Sequence, residues 1–196
     1  MGKRIAVGFT AMLAAFSLGG SASAGKIVNG NFEDGNTGFS TQYANVSEFC
    51  GDTGLYAIAN DPAPLNCFGF WPHVGDHTTG SGLMLVATGA TEPDTIVWSE
   101  TVKAVPNTTY VLTFWGTTLN TYDGNSPPLI QANFNGAPVG KSLRLPGAYD
   151  GKWHAGKVVW KSHSAKSATI SLIDTQPSGA NNDFALDDIK LKAKSH

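Results

Sequence analysis

From Leu83 onward, apolar residues recur at every second position in short runs separated by turn residues. That period sends alternate side chains to opposite faces of a pleated strand. The runs predict strands at Leu83–Thr88, Thr95–Val102, Thr109–Thr117, Leu129–Phe134, Pro138–Leu145, Trp153–Lys161, Ala168–Asp174 and Phe184–Leu191. Asn135-Gly136 between two runs predicts a tight hairpin, and Pro106-Asn107 another turn. Upstream, Lys26–Phe32, Phe39–Val46 and Leu55–Ala59 read as shorter strands. Between Ser47 and His77 the pattern is broken by Gly51, Gly54, Pro62, Pro64, Pro72 and Gly75, a long excursion for a compact domain. Downstream of the leader no twelve-residue window has helical periodicity, so the chain reads as all-β, a two-sheet sandwich of jelly-roll topology.

The last run contains an inconsistency that predicts a detail. Phe184 and Leu186 share one parity, Ile189 and Leu191 the other. A regular strand would divide them between two faces. One extra residue at Asp187-Asp188, a β-bulge, keeps all four in one core. The two adjacent carboxylates then either lie in solvent or meet a cation.

Met1–Ala24 has the form of a secretory leader: Lys3 and Arg4, an apolar stretch from Ile5 to Leu18, and Ser21-Ala22-Ser23-Ala24 as a cleavage site. Residues 25–196 are then expected to form one domain, secreted or periplasmic. The apolar stretch is short for a membrane span, and no further anchor is expected. Two of the chain's 13 basic residues fall in the leader, which leaves eleven against 15 acidic ones. A net negative domain argues against a nucleic-acid partner. Cys50 and Cys67 are the only cysteines, and in an exported chain they predict one disulfide closing the excursion.

The opening Val28-Asn29-Gly30-Asn31-Phe32-Glu33, the turn from Gly35 to Phe39, Pro106-Asn107-Thr108-Thr109-Tyr110, the Trp153 strand and the closing Asp183-Phe184-Ala185-Leu186-Asp187-Asp188-Ile189 carry a resemblance. Together they resemble the galactose-binding-like jelly rolls, in particular carbohydrate-binding modules of the group that includes xylan- and glucan-binding families. The resemblance implies paired chain ends and a structural calcium. By residue, that ion would be held by Glu33 and by Asp187 or Asp188, with Asp188 preferred, plus backbone carbonyls. Calcium takes six to eight oxygens, which carboxylates and loop carbonyls supply. The implied role is non-catalytic binding of a carbohydrate; a structural or adhesive envelope protein with a protein partner is the alternative.

Aromatic faces can stack on a sugar ring. In Thr109–Thr117, Tyr110, Leu112 and Phe114 share one face, so Trp115 points to the other and becomes a candidate platform. Trp71, beside Phe70 and His73 in the excursion, is the second, with His73 as a hydrogen-bonding neighbour and Tyr122 and Tyr56 as weaker candidates. Trp98, Trp153 and Trp160 alternate within strands and read as core. His73 and His77 have zinc spacing for a helix, but Pro72, Gly75 and Gly80 exclude one. Gly80-Ser81-Gly82 is not a nucleophile elbow, and no pair of carboxylates stands out for glycoside cleavage. The expectation is a protein that binds and does not catalyse.

Overall fold

The computed structural model describes residues 25–92 and 94–194. The expected leader, Met1–Ala24, lies outside the described residues. Eleven strands follow in order: β1 (Ala44–Asn45), β2 (Leu55–Ala59), β3 (Met84–Ala87), β4 (Ile96–Lys103), β5 (Thr109–Thr118), β6 (Leu129–Phe134), β7 (Ala137–Pro138), β8 (Leu143–Arg144), β9 (His154–Lys161), β10 (Ser167–Asp174) and β11 (Phe184–Ala193). Six form one sheet in the order β1-β2-β3-β11-β5-β9; the other sheet runs β4-β10-β6-β7, with β8 also on β6. The expected all-β, two-sheet sandwich is the observed architecture. Among the described residues no helix is long and apolar enough to cross a membrane.

The sheets face each other across one core. β5 contributes Tyr110, Leu112 and Phe114, β4 Val97 and Trp98, β6 Ile130 and Phe134, β10 Ile170 and Leu172. β11 contributes Phe184, Leu186, Ile189 and Leu191 to that same core, so both parities do end on one face. The cause is the predicted bulge: Asp187 pairs with Trp115, but the next pair is Lys190 with Thr113, three residues against two. Asp188 takes the extra position at φ 51°. Asn135 and Gly136, at φ 52° and 80°, form the tight turn between β6 and β7.

Three predicted strands need correction. Lys26–Phe32 is a chain of turns, because Asn29 and Phe32 adopt φ 51° and 58°. The Asn29 amide donates to the carbonyls of Gly35 and Thr37 and accepts from Asp34 N–H, an Asx-type frame that competes with a ladder. Even so, the two ends meet: Ile189 N–H donates to Gly30 O at 2.7 Å. Phe39–Val46 keeps only β1 and a bridge from Ser40 to Ser99. Pro138–Leu145 divides into β7 and β8, since Pro138 has no N–H to continue the ladder and Gly140 turns at φ 71°.

The excursion contributes β2 to the six-stranded sheet, and the rest of it forms a third layer. Ala57, Met84, Val86 and Ala185 project from the outer face of the six-stranded sheet, and Phe49, Trp71 and Val74 cover them in a second buried cluster. Cys50 and Cys67 are joined, with Cα atoms 5.1 Å apart. Backbone bonds from Phe49 to Leu65 and from Cys67 to Phe49 flank the bridge.

Candidate functional site

Two places gather the candidate residues, and they are separate. The first is a cleft of about 170 Å³ where the excursion meets the loops after β5 and before β11. Its rim carries three large exposed rings: Phe68 at 55%, Phe70 at 58% and Tyr122 at 59% exposure. Phe68 and Phe70 lie nearly parallel, centroids 5.8 Å apart. Asn66 fixes them, its side-chain oxygen accepting both of their backbone N–H groups at 3.1 Å. The neighbouring Cys67 ties the same turn to Cys50.

Polar groups line the interior. Asn120, Asn181, Asp52 and Asp183 come from three separate segments. Asn120 donates to Asn181 O at 2.7 Å, which locks the two loops together. Asp183 Oδ2 accepts the Trp71 indole N–H at 2.9 Å, and among the described residues nothing donates to its other oxygen. Burial pushes the Asp183 carboxyl up to about 6, against the opposing effect of the indole hydrogen bond.

Trp71 is therefore not the open platform read from the sequence. It is buried and tilted against Phe49 at 4.7 Å, although it still borders the cleft. The apolar cover over β2 and β3 takes its face instead. Tyr122 does stand at the rim. His73 is exposed and hydrogen-bonds Asp61 at 2.6 Å, and it does not line the cleft. Trp115 lies on the outer face of β5, as its parity predicts, but away from the cleft. One of its ring faces is occupied by His77, stacked at 3.9 Å and 18°. Trp98 is fully buried, while Trp153 and Trp160 pack half-buried against the two cores.

Phe68, Phe70, Asn120, Asn181 and Asp183 were not singled out by sequence. A signal did exist for the first two: the run Phe68-Gly69-Phe70-Trp71 directly follows a cysteine. The loop residues are brought together only by the tertiary fold.

The second place is the junction of the chain ends, bridged by the loop Asp76–Leu83. The His77 N–H donates to Asp187 Oδ2 at 2.8 Å. Asp188 Oδ2 receives His77 Nδ1 at 2.6 Å and the Thr78 hydroxyl at 2.5 Å, while Lys190 Nζ donates to Asp188 Oδ1 at 2.6 Å. At the far end of the loop, Glu33 Oε1 accepts the Leu83 N–H at 2.9 Å. So Asp187 and Asp188 stand together, and Glu33 joins them through the loop. The three carboxylates do not place ligand atoms within 4.8 Å of one another; among the described residues the one trio that does is Glu48, Cys50 and Cys67, whose sulfurs are spent on the disulfide.

The electrostatics of the junction are lopsided. Asp76, Asp187 and Asp188 are all buried, and of the three Asp188 alone is paired with basic side chains, Lys190 and His77. Burial pushes Asp187 up to about 7; hydrogen bonds from Asp188 and His77 N–H oppose this, and the charges of Asp188 and Asp76 add to it. Burial also works to raise Asp76, but bonds from Thr79, Gly82 and Ser81 outweigh it and hold that carboxyl at about 2. For Asp188, burial is outweighed by Lys190, Thr78 and His77, which keep it below the ordinary range. All four carboxylate oxygens of Asp187 and Asp188 already accept hydrogen bonds, from Asp188 N–H, His77, Thr78 and Lys190, so a cation here would have to share or displace these donors.

No protein-family model matches the chain, and no curated protein matches it in sequence. The fold does have solved counterparts. The CBM22-1 xylan-binding domain from Paenibacillus barcinonensis is similar over 90% of this chain and 100% of that one, with a TM-score of 0.56 and 16% identity. A Stig cyclase from Fischerella sp. TAU, in complex with a pyrrolidinylidene-indole, is similar over 86% of this chain and 97% of that one, with a TM-score of 0.57 and 14% identity. The likeness is one of fold alone, a two-sheet jelly-roll sandwich. Because a binding domain and a cyclase share it, the fold does not choose between them.

Proposed function

We propose that this chain binds a carbohydrate without chemically altering it, at the cleft between the disulfide-closed excursion and the loops after β5 and before β11. One observation carries the reading: three exposed rings, Phe68, Phe70 and Tyr122, frame a cleft lined by Asn120, Asn181, Asp52 and the half-satisfied Asp183. Ring faces pack on the apolar face of a sugar, and the amides and carboxylates reach its hydroxyls. Neutral Asp183 can donate; ionised, it accepts. Rings already held by Asn66 and by the disulfide lose little freedom on binding. A xylan-binding domain is built on the same fold, with which a glycan ligand is compatible.

Supporting the non-catalytic part, the three His–Asp pairs, His73–Asp61, His77–Asp188 and His154–Asp150, lack the next member of a hydrolytic relay. Among the described residues no hydroxyl hydrogen-bonds the second ring nitrogen of any of them. A disulfide suits an oxidising compartment, so the proposed setting is the periplasm or the exterior. The test is a glycan screen with Tyr122→Ala and Phe70→Ala beside the wild type. Each truncation is expected to weaken retention about tenfold, consistent with roughly 1–3 kcal/mol for an aromatic platform. A screen that stays blank, or truncations that bind as well as wild type, would overturn the cleft assignment and favour a protein partner.

Calcium at the junction is part of the same proposal. Asp187 and Asp188 would hold it, with Glu33 reached through the loop, and its role would be to offset buried charge and pin the chain ends together. Calcium at a hundredfold excess over its dissociation constant should stabilise the fold by about 2.7 kcal/mol. In a domain of this size that corresponds to roughly 5–10 °C in melting temperature, lost on adding a chelator. Melting curves that superimpose with calcium and with chelator would remove the ion from the account.

A further inference from the structure

The outer face of the six-stranded sheet is only half covered by the excursion. Past the bulge, the strands β11, β5 and β9 leave theirs open. Register fixes what lies there. Thr109, Val111 and Thr113 point outward from β5, since Tyr110, Leu112 and Phe114 point into the core. On one side they pair with Lys161, Val159 and Lys157 of β9; on the other, Val111 and Thr113 pair with Lys192 and Lys190 of β11. Lys194, whose N–H donates to Thr109 O, continues the row. Residues paired across strands share a face, so five lysines surround a small uncharged floor, and all five are exposed.

These are five of the eleven basic residues downstream of the leader. Of the nearby carboxylates, Asp188 is bonded to Lys190, Asp34 lines the same depression as Lys190 and Lys192, and Asp187, at the end of the row opposite Trp115, is buried. Alternate residues on a strand stand about 6.8 Å apart and neighbouring strands about 4.8 Å. The lysine Cα positions thus form two rows about 10 Å apart, three in one and two in the other. Edge protection explains lysines on β9, which is an edge strand. It bears on those of β11 as well, because the pairing of β11 with β3 ends at Leu186 and Lys190 and Lys192 have a strand partner only on the β5 side. Like charges gathered on one face oppose folding, so an unsatisfied array points to an anionic partner.

We propose that this face binds an acidic polysaccharide, a polymer bearing one carboxylate per uronate ring. Nothing on it protrudes to enter a nucleic-acid groove. It offers no free aromatic ring for base stacking, because Trp115 at its end is half-buried and stacked on His77. It presents no exposed Trp, Phe or Leu for insertion into a membrane; Val159 is its one large exposed apolar side chain. Two rows of flexible point charges suit spaced carboxylates better than planar phosphate clamps, for which arginine is the better residue. The inference rests on the carbohydrate reading only for choosing a sugar polymer among polyanions; the array itself is independent of the cleft.

The experiment is affinity electrophoresis of the full folded domain in gels containing polygalacturonate, neutral xylan, or neither, with double-stranded DNA and anionic phosphatidylserine vesicles as separate arms. Polygalacturonate is expected to retard the wild type, and raising salt from about 50 to about 300 mM should weaken this at least about tenfold. Lys157→Glu with Lys192→Glu should abolish retardation, and the paired glutamine variants should reduce it, with unchanged melting temperatures because both positions are exposed. Neutral xylan should be indifferent to these changes, and Tyr122→Ala should leave the polygalacturonate result intact. Retardation by polygalacturonate that survives charge reversal overturns the proposal, as does its absence in the wild type. Tighter binding to DNA or to the vesicles overturns the choice of partner. A loss confined to neutral glycans overturns the cleft alone.

Discussion

Replacing Gly30 with alanine should cost about 3 kcal/mol, near the top of the range for overpacking. A Cβ at this position would fall inside the van der Waals shell of the Ile189 carbonyl oxygen and crowd Ile27 Cγ2. Side-chain clashes are relieved by changing rotamer; this one is against backbone. To relieve it, Gly30 O must also leave the Ile189 N–H, now at 2.7 Å. The bulge that places Ile189 in the core is one residue away, so the strain reaches Ile189 and Leu191 directly. For a domain of this length the loss corresponds to roughly 6–12 °C in melting temperature. The measurement is a thermal melt followed by tryptophan fluorescence. An unchanged midpoint would mean that the two ends are not in contact, and the junction built on them would go too.

The strands were legible where burial enforces a period of two. Thr109–Thr117 and Phe184–Leu191 show this best, because both lie inside a sheet with one face in the main core. The bulge was legible for the same reason: when the parity of four apolar residues changes, one extra residue is a way to keep them all in one core. Lys26–Phe32 misled because an apolar run says nothing of backbone sign, and Asn29 and Phe32 sit at positive φ under a side-chain frame. The excursion was legible as a long disulfide-closed segment. Its role as a cover was not, since Phe49, Trp71 and Val74 follow no period. Trp71 has the sequence context of a binding residue and the environment of a core residue, and only the apolar surface of β2 and β3 beneath it decides between them. Asn120, Asn181 and Asp183 converge from separate loops, which leaves no mark in a linear pattern.

Charge misled in the opposite direction. The sum over the domain is negative, and a sum averages away position. Lys190-Leu191-Lys192 shows alternation on its own, but Lys157 and Lys161 join it only through the β5 register. The patch is thus encoded locally on two strands and assembled by a third that carries no charge. Net charge speaks to the domain as a whole and not to one face: an overall acidic domain can still present a basic patch.

Reducing the disulfide should have the second large effect, and it should separate the two proposed surfaces. Closing a loop of 17 residues stabilises a fold by roughly 3 kcal/mol in the chain-entropy model, so reduction should lower the melting temperature by roughly 6–12 °C. Cys50 and Cys67 are exposed and open to a soluble thiol. The bridge lies in the third layer, outside the core between the sheets. Opening of the cover on either side of β2, residues 47–54 and 60–77, should therefore precede loss of the sandwich, as a locally less stable unit. Phe68 and Phe70 flank the bridge and lose their fixed spacing when it goes, so neutral-glycan retention should fall well below what the melting shift alone requires. The lysine rows on β9 and β11 belong to the other half of the sheet and should keep their ligand. Limited proteolysis of the reduced protein, read beside both binding assays, checks the chain of cause. Cleavage in the cover with loss of the neutral ligand and retention of the acidic one is the expected pattern. Simultaneous loss of both ligands would show that the cover and the sandwich unfold as one unit.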